Sequence, residues 1–387
     1  MATSPGTFGT TGGGLGARDR NSPPRLIAMV VTLDVAGARP SDLVVGTSPL
    51  AELMACLHVL AEPEHHPESR TWAARTRESL PEPLARSLIQ FAPLWARFRC
   101  RLFYPLRGPL DRDLGTELAA LDTADPAAFL ALAATAIRGT AFTGFDLDDA
   151  AGRGEFVRAC ERRSFARGEL ARGLLDSPER FRHDLISVLS ECDEAFFAAE
   201  WRRIGPRLRD TAARVRRQAV RLRAGPLLAA LSPTATEQEQ PPRVHYDKLQ
   251  SASGSVREHG CLVIPTLHGW PHLIVKLDPG HPLVLHFIAG DWEQRPALSP
   301  SLVRERLAAL AEPARFELCR HLIGEAITTS ELAARTGLTE PQVSRHLRRL
   351  REVGLLTSRR QGRLVYHRLH AKLLTDLGPD LLTTIMR

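Results

Sequence analysis

Residues 327–369 read ITTSELAARTGLTEPQVSRHLRRLREVGLLTSRRQGRLVYHRL, and the order of signals in that stretch decides the architecture of the C-terminal end. Thr328-x-x-Glu331 is a capping box, in which the hydroxyl and the carboxylate each satisfy an orphan backbone N–H. It predicts a helix through Arg335, with Gly337 as the left-handed residue that ends it. A second box, Thr339-x-x-Gln342, tolerates Pro341 in its first turn and opens a helix to about Val353, stopped by Gly354. Two capped helices joined by so short a turn must cross steeply. Leu355 to Arg360 and Arg363 to Leu369 then read as strands about a Gln361-Gly362 turn. Helix, turn, helix and basic hairpin in that order describe a winged helix-turn-helix.

On the second helix Val343, Leu347 and Leu350 recur at helical spacing and should face the core. That leaves Gln342, Ser344, Arg345, Arg348 and Arg349 on exposed flanks. These are side-chain types that read base edges and grip phosphates. From Ser299 to Arg387 there are 15 Lys plus Arg against 9 Asp plus Glu, a net of +6 in a chain whose total is +7. Between Arg345 and Arg368 eight arginines face one acid, Glu352. A lone charge run is more often a solvated helix face. Here it coincides with ordered caps, turn glycines and a hairpin, so double-stranded DNA is the expected partner.

The same residues resemble a known family. Leu310-Ala-Glu-Pro-Ala-Arg-Phe-Glu-Leu-Cys, Ser330-Glu-Leu-Ala-Ala, Val343-Ser-Arg-His-Leu-Arg-Arg-Leu-Arg-Glu-Val-Gly-Leu and Arg359-Arg-Gln-Gly-Arg-Leu-Val-Tyr look like the ArsR (arsenic-repressor) family. Its members are bacterial winged-helix regulators, usually dimeric repressors released from operators by an effector. The resemblance covers about residues 302–370 and implies Gln342, Ser344, Arg345 and His346 at or near the major groove, with Arg360 and Arg363 on the wing. The expected DNA-binding set is therefore Thr339, Gln342, Ser344, Arg345, His346, Arg348, Arg349, Arg359, Arg360 and Arg363. Departures from the family argue against metal sensing. Thr328 and Ser330 stand where thiolate-using members carry Cys-x-Cys. The C-terminal segment offers Asp376 and Asp380 beside Gly378-Pro379 without the second His pair. His367 replaces a frequent Tyr under the wing.

Composition sets wider bounds. A chain of 387 residues has room for more than one domain and a sizeable core. Six scattered cysteines without Cys-x-x-Cys suggest reduced thiols in a cytoplasmic protein. No apolar run reaches membrane-spanning length. Residues 1–25, rich in Gly, Ser, Thr and Pro, read as a disordered leader. Residues 26–298 read as a sensor or dimerisation body, and 299–387 as the DNA-binding domain.

Within the body, Leu26 to Val35 reads as a strand, and Ser48-Pro49 as the cap and first position of an apolar helix through Ala61. Further helical patterns lie near 81–100, 126–138, 154–175 and 177–203, followed by a basic stretch from Arg207 to Arg223. Pro233 to Pro242 reads as a linker or long loop. Runs at 244–249, 260–267, 272–277 and 282–288 suggest a small antiparallel sheet. The expected class is mainly α with small β elements (α+β). The arrangement also resembles regulators from GC-rich bacteria in which a large N-terminal domain of unassigned role precedes an ArsR-type winged helix. That likeness rests on Ser48-Pro-Leu-x-Glu-Leu53, the His66-Pro67 loop and Leu262-Val-Ile-Pro265.

Candidate chemistry in the body is thin. His268-Gly-Trp-Pro-His272 brings two imidazoles near each other, but Pro271 excludes a single-helix ligand pair, so partly exposed turn histidines are the better reading. Glu62 to Glu68 has ligand-type residues in a Pro-interrupted loop, the pattern of a solvated helix end. The arginines from Arg207 to Arg223 suit a solvated helix face before a DNA flank. The five tryptophans suit core packing before an effector pocket. No nucleophile elbow, phosphate loop or zinc-protease motif occurs, so the expectation is no enzyme, no cofactor and no metal. What remains is a homodimeric repressor with a possible small-molecule effector. The alternative is an enzyme or protein-interaction domain carrying an accessory winged helix.

Overall fold

In the computed structural model, which describes residues 30–96, 98–106, 109–139, 144–232, 235–248, 251–289, 299–323 and 325–385, the chain opens with β1 (Val30–Asp34) and β2 (Leu43–Val45). The leader expected for residues 1–25 lies outside the described residues. Helices follow as α1 (Pro49–Ala61), α2 (Arg70–Ser79), α3 (Glu82–Phe91), α4 (Leu114–Asp122), α5 (Pro126–Arg138), α6 (Ala150–Glu161), α7 (Phe165–Asp176), α8 (Pro178–Cys192), α9 (Ala198–Arg221) and α10 (Ala224–Ala229). A second β-rich segment contains β3 (Ala235–Gln238), β4 (Arg243–Asp247), β5 (Ala252–Ser255), the short α11 (Val256–His259), β6 (Cys261–Thr266), β7 (Ile274–Lys276) and β8 (Leu283–Ile288). The C-terminal module comprises α12 (Pro300–Ala311), α13 (Pro313–Leu322), β9 (Ile327–Thr328), α14 (Thr329–Thr336), α15 (Glu340–Glu352), β10 (Leu356–Gln361), β11 (Leu364–Leu369) and α16 (Ala371–Ile385). The class is α+β.

Local chemistry explains most of these boundaries. Ser48 Oγ accepts from Ala51 N–H at 3.2 Å and Pro49 takes the first helical position, so α1 starts where its sequence says. Residues Pro49 to Leu60 are all buried, which makes α1 a central core helix rather than an amphipathic one. Asp125 caps α5 through Ala128 N–H at 2.8 Å, and Gly139 closes it at φ +74°. Asp149 accepts from Ala151 and Gly152 N–H at the start of α6, so the acidic cluster around 146–149 serves a helix cap. The pattern at 154–175 divides into α6 and α7 because Ser164 caps a new helix. Residues 177–203 run instead through a π-helical turn at Asp193–Phe197 directly into α9.

The β-rich part differs from the small antiparallel sheet expected. Two four-stranded mixed sheets form, ordered β3-β4-β1-β5 and β2-β6-β8-β7. β2, β6 and β8 are mutually parallel in sequence order, with Val45 beside Val263 and Val263 beside Leu285. The reason is burial on both faces. All six residues of β6 are buried, and Cys261 to Pro265 form a continuous apolar run of the kind parallel strands carry. Alternate residues serve two cores. Leu262, Ile264 and Val284 join the cluster built on α1 to α8, whereas Val263, Leu285 and Phe287 join one that includes β1, β4, α9 and α10. Residues 235–238, expected within a linker, form the edge strand β3, whose register runs Ala235 to Tyr246 and Gln238 to Arg243. An edge strand with solvated faces needs no apolar pattern, which is why it reads as loop.

The turn of the wing also departs from expectation. Gln361 pairs with Leu364, so the hairpin turn is Gly362-Arg363, with Gly362 at φ +62°, and Arg363 stands at its tip instead of on the strand. α16 is assigned continuously through Gly378-Pro379, although Pro379 removes one backbone donor from the helix. All six cysteines are free and buried. Among the described residues no single helix is long and apolar enough to cross a membrane.

Candidate nucleic-acid interface

The C-terminal module owes its shape to a compact core of its own. Leu318, Leu322, Ile327, Leu332, Val343, Leu347, Leu350, Leu355 and Leu369 are buried together. Burial of each such side chain contributes about 1.5–3 kcal/mol. α14 is capped by Thr328 Oγ1 on Glu331 N–H and ends at Gly337 with φ +70°. β9 pairs with β11, which makes the wing a three-stranded sheet ordered β10-β11-β9. His367, buried beneath it, ties the wing to the helices: Nε2 meets Thr329 Oγ1 at 3.1 Å and Nδ1 meets Ser358 Oγ at 2.9 Å. Burial, helped by Arg351, lowers its pKa, so the ring bridges two hydroxyls as the neutral form. Arg306 on α12 is buried and donates to Val353 O at 2.9 Å, fixing the end of α15.

The ten residues singled out above fall into distinct positions. Ser344, Arg345 and Arg348 are exposed on α15. Arg359 and Arg360 are exposed on β10, and Arg363 is exposed at the turn. Thr339 and Gln342 form the capping box, with Gln342 Oε1 accepting from Thr339 N–H at 2.9 Å and from its hydroxyl at 3.0 Å. Only the amide nitrogen of Gln342 is therefore left to face outward. His346 is half-buried with Nδ1 3.5 Å from Glu312 Oε2, turned toward the start of α13. Arg349 is held between Glu352 at 3.3 Å and Glu305 of α12 at 3.4 Å. The arginines thus divide into an exposed set and a member whose charge acids already balance. Sequence periodicity marks the solvent-facing flank of a helix but does not show that Glu305 and Glu312 lie beside it.

The basic stretch from Arg207 to Arg223 belongs mostly to α9. Its apolar side, Ile204, Leu208, Ala212, Val215 and Ala219, is buried, and Arg207, Arg209, Arg214, Arg217 and Arg221 are exposed. Arg216 is structural: Nε donates to Val45 O at 2.8 Å and the guanidinium pairs with Asp111.

Ionisable groups also meet inside the N-terminal body. His268, in the segment after β6, sits between two buried carboxylates, with Nδ1 3.0 Å from Glu52 Oε1 and Nε2 3.2 Å from Glu200 Oε1. Burial pulls the imidazole down, but Cys56 and the two carboxylates outweigh it and hold its pKa well above the ordinary value. Burial pushes Cys56 up to about 11, so its thiol is neutral at pH 7 and the carboxylates carry the effect. Glu200, despite its own burial, is held at about 2 by His268 and Arg203. The His268–His272 pair is not brought to one point: His268 belongs to this network, and His272 faces elsewhere.

Residues 29–293 match the family described as "Family of unknown function (DUF5937)", and residues 310–359 match a helix-turn-helix domain. The arsenic resistance transcriptional regulator ArsR1 of Pseudomonas putida is 42% identical over 76 residues, 20% of this chain. The chain spans 58% of that curated relative's length. Among solved structures, an ArsR-like transcriptional regulator from Rhodococcus sp. RHA1 is 26% identical, covering 21% of this chain and 76% of that one, with a TM-score of 0.20. A possible transcriptional regulator for arsenical resistance is 38% identical over 19% of this chain and 77% of that one, with a TM-score of 0.19. The first match takes in most of the chain, and the chain therefore belongs to the family of unknown function DUF5937, with an ArsR-type winged helix-turn-helix behind its larger N-terminal region.

Proposed function

We propose that the protein is a cytoplasmic transcriptional regulator that binds double-stranded DNA as a homodimer and acts as a repressor. The observation that carries the reading is the exposed arginine set of α15 and the wing, on a capped helix-turn-helix with its own core. In this reading Ser344, Arg345 and the Gln342 amide meet base edges, Thr339 stands at the groove entrance, and Arg348, Arg359, Arg360 and Arg363 meet phosphates or the minor groove. His346 and Arg349 contribute by fixing α15 against α13 and α12. The second copy docks on α16, where Leu382 and Ile385 are exposed beside α12. Such a seam sets two recognition helices about one DNA turn apart.

The N-terminal body is the sensing part in this proposal. A cavity of about 410 Å³ lies among Phe98, Leu132, Thr135, Lys276, Asp278 and His281, within the size range of small-molecule sites. Lys276 sits over the Phe98 ring at 4.0 Å, and burial pushes its ammonium down to about 8, which leaves it mostly charged at pH 7 and able to pair with an acidic group of a ligand. The test is selection of duplexes from a random pool by the purified full chain, followed by binding at several salt concentrations. An enriched inverted repeat with a steep salt dependence is expected. A pool with no enriched sequence overturns the proposal.

A further inference from the structure

Three histidines far apart in the chain converge in the N-terminal body. His58 lies on α1, His66 in the turns that follow it, and His272 between β6 and β7. Their ring centroids are 4.9, 5.6 and 5.4 Å apart, with planes inclined by 71–83°. One ring nitrogen of each lies within 4.8 Å of the other two. His58 and His66 are buried and His272 is half-buried, and Nε2 of all three is buried.

The tautomers of two of the rings follow from their partners. His58 Nδ1 is 3.0 Å from Trp95 O, and His66 Nδ1 contacts Trp270 O. A carbonyl oxygen only accepts, so in both rings Nδ1 carries the proton and Nε2 carries the lone pair. An imidazole whose outer N–H is held by a backbone carbonyl has the support characteristic of metal-ligating histidines.

We propose that His58, His66 and His272 form a three-nitrogen site for a zinc-type divalent ion, with a fourth position open to water or a small anion. Three imidazoles without a carboxylate suit borderline transition ions rather than calcium or magnesium, which take oxygen ligands. At Zn–N distances of 2.0–2.1 Å, tetrahedral ligands stand roughly 3.3 Å apart. The rings must therefore close in on the ion, and half-buried His272, on a loop, is the one placed to move. The Arg99 guanidinium opposes a dication, and the Glu62 carboxylate acting on Arg99 offsets it. The site departs from the expectation of no metal, and it lies away from the positions where the ArsR resemblance places metal ligands. It does not depend on DNA binding.

The test uses the full chain, stripped with chelator and titrated with Zn²⁺ and, separately, with Co²⁺. Expected are uptake of one equivalent, a rise in melting temperature with Zn²⁺, and the intense visible absorption of four-coordinate Co²⁺. His272→Ala and His66→Gln should each weaken uptake by more than about 100-fold, the upper end of what supporting groups alone contribute. His259→Ala, on the exposed α11 outside the trio, should retain it. The proposal is overturned if the folded wild-type chain takes up no stoichiometric ion and gains no thermal stability. It is equally overturned if both trio variants, folded by circular dichroism, bind as the parent does.

Discussion

Replacing His268 with Ala tests the buried charge network directly. The change removes an imidazolium from between Glu52 and Glu200, whose side chains are 1% and 8% exposed. Neither carboxylate is left bare. Glu52 Oε1 keeps the N–H groups of Leu267 at 3.2 Å and residue 268 at 3.0 Å, and Glu200 keeps Arg203. The loss should therefore sit at the low end of the range for breaking a buried pair, about 3 kcal/mol. At about 2–4 °C per kcal/mol for a body of this size, the melting temperature should fall by about 6–12 °C. The pH dependence has a definite sign. Glu200, with an ordinary value of 4.5 and a folded value of about 2, contributes stability that is complete above pH 4.5 and lost as pH falls through 2. His268, raised above 6.5, contributes fully below pH 6.5 and loses its share only as pH rises through its folded value. In the variant the two carboxylates face each other and take up protons more readily, so the gap to the parent should narrow as pH falls from 6 toward 4. Thermal unfolding followed by circular dichroism across that range reads this out. An unchanged melting temperature at pH 6, or a gap that widens on acidification, refutes the network as a source of stability.

Arg345→Ala should cost about 1–3 kcal/mol on a selected duplex and relax base preference at one position, measured by binding to a randomised operator library. The double change Arg360→Ala with Arg363→Ala should weaken all duplexes alike and lower the salt slope by about 1–2, at about 0.9 per phosphate; a loss confined to one sequence would assign base reading to the wing. His286, pushed down to about 4 by burial and held through Nδ1 by Tyr104 OH at 3.2 Å, stabilises the fold fully above pH 6.5 and loses that share as pH falls from 6.5 toward 4. His286→Gln should flatten the stability curve across that window, and urea titrations at several pH values check it.

The winged helix was legible because its signals are local. Thr328, Gly337, Thr339, Gln342 and Gly354 act on backbone within four residues of themselves, so caps and turns read directly from spacing. The body was less legible because its decisive contacts are remote. Glu52 looks like an ordinary first-turn acid of α1 until His268 and Glu200 arrive beside it. His66 reads as part of a solvated loop, yet it is buried against a histidine from an apolar helix and another from beyond β6. The two-sided burial of Cys261 to Thr266 left a trace in the apolar Cys261 to Pro265 run, which suits a parallel strand, yet the segment reads as part of an antiparallel sheet because short runs between turns do not show strand direction. At β3 nothing could have shown the pairing, since Ala-Thr-Glu-Gln on an edge has no pattern to display.

The parallel pairing of β2 with β6 bears on how the protein is made. Val45 leaves the ribosome about 200 residues before its neighbour Val263, an interval of roughly 10 to 45 s at ordinary synthesis rates. Throughout that time the apolar residues of β2, Leu43 and Val45, wait for the strand that pairs with them, open to chaperones and to sticking between nascent chains. A chain truncated within α9 would never bury them, whereas the C-terminal module, whose contacts are close in sequence, is free to fold within moments of its release.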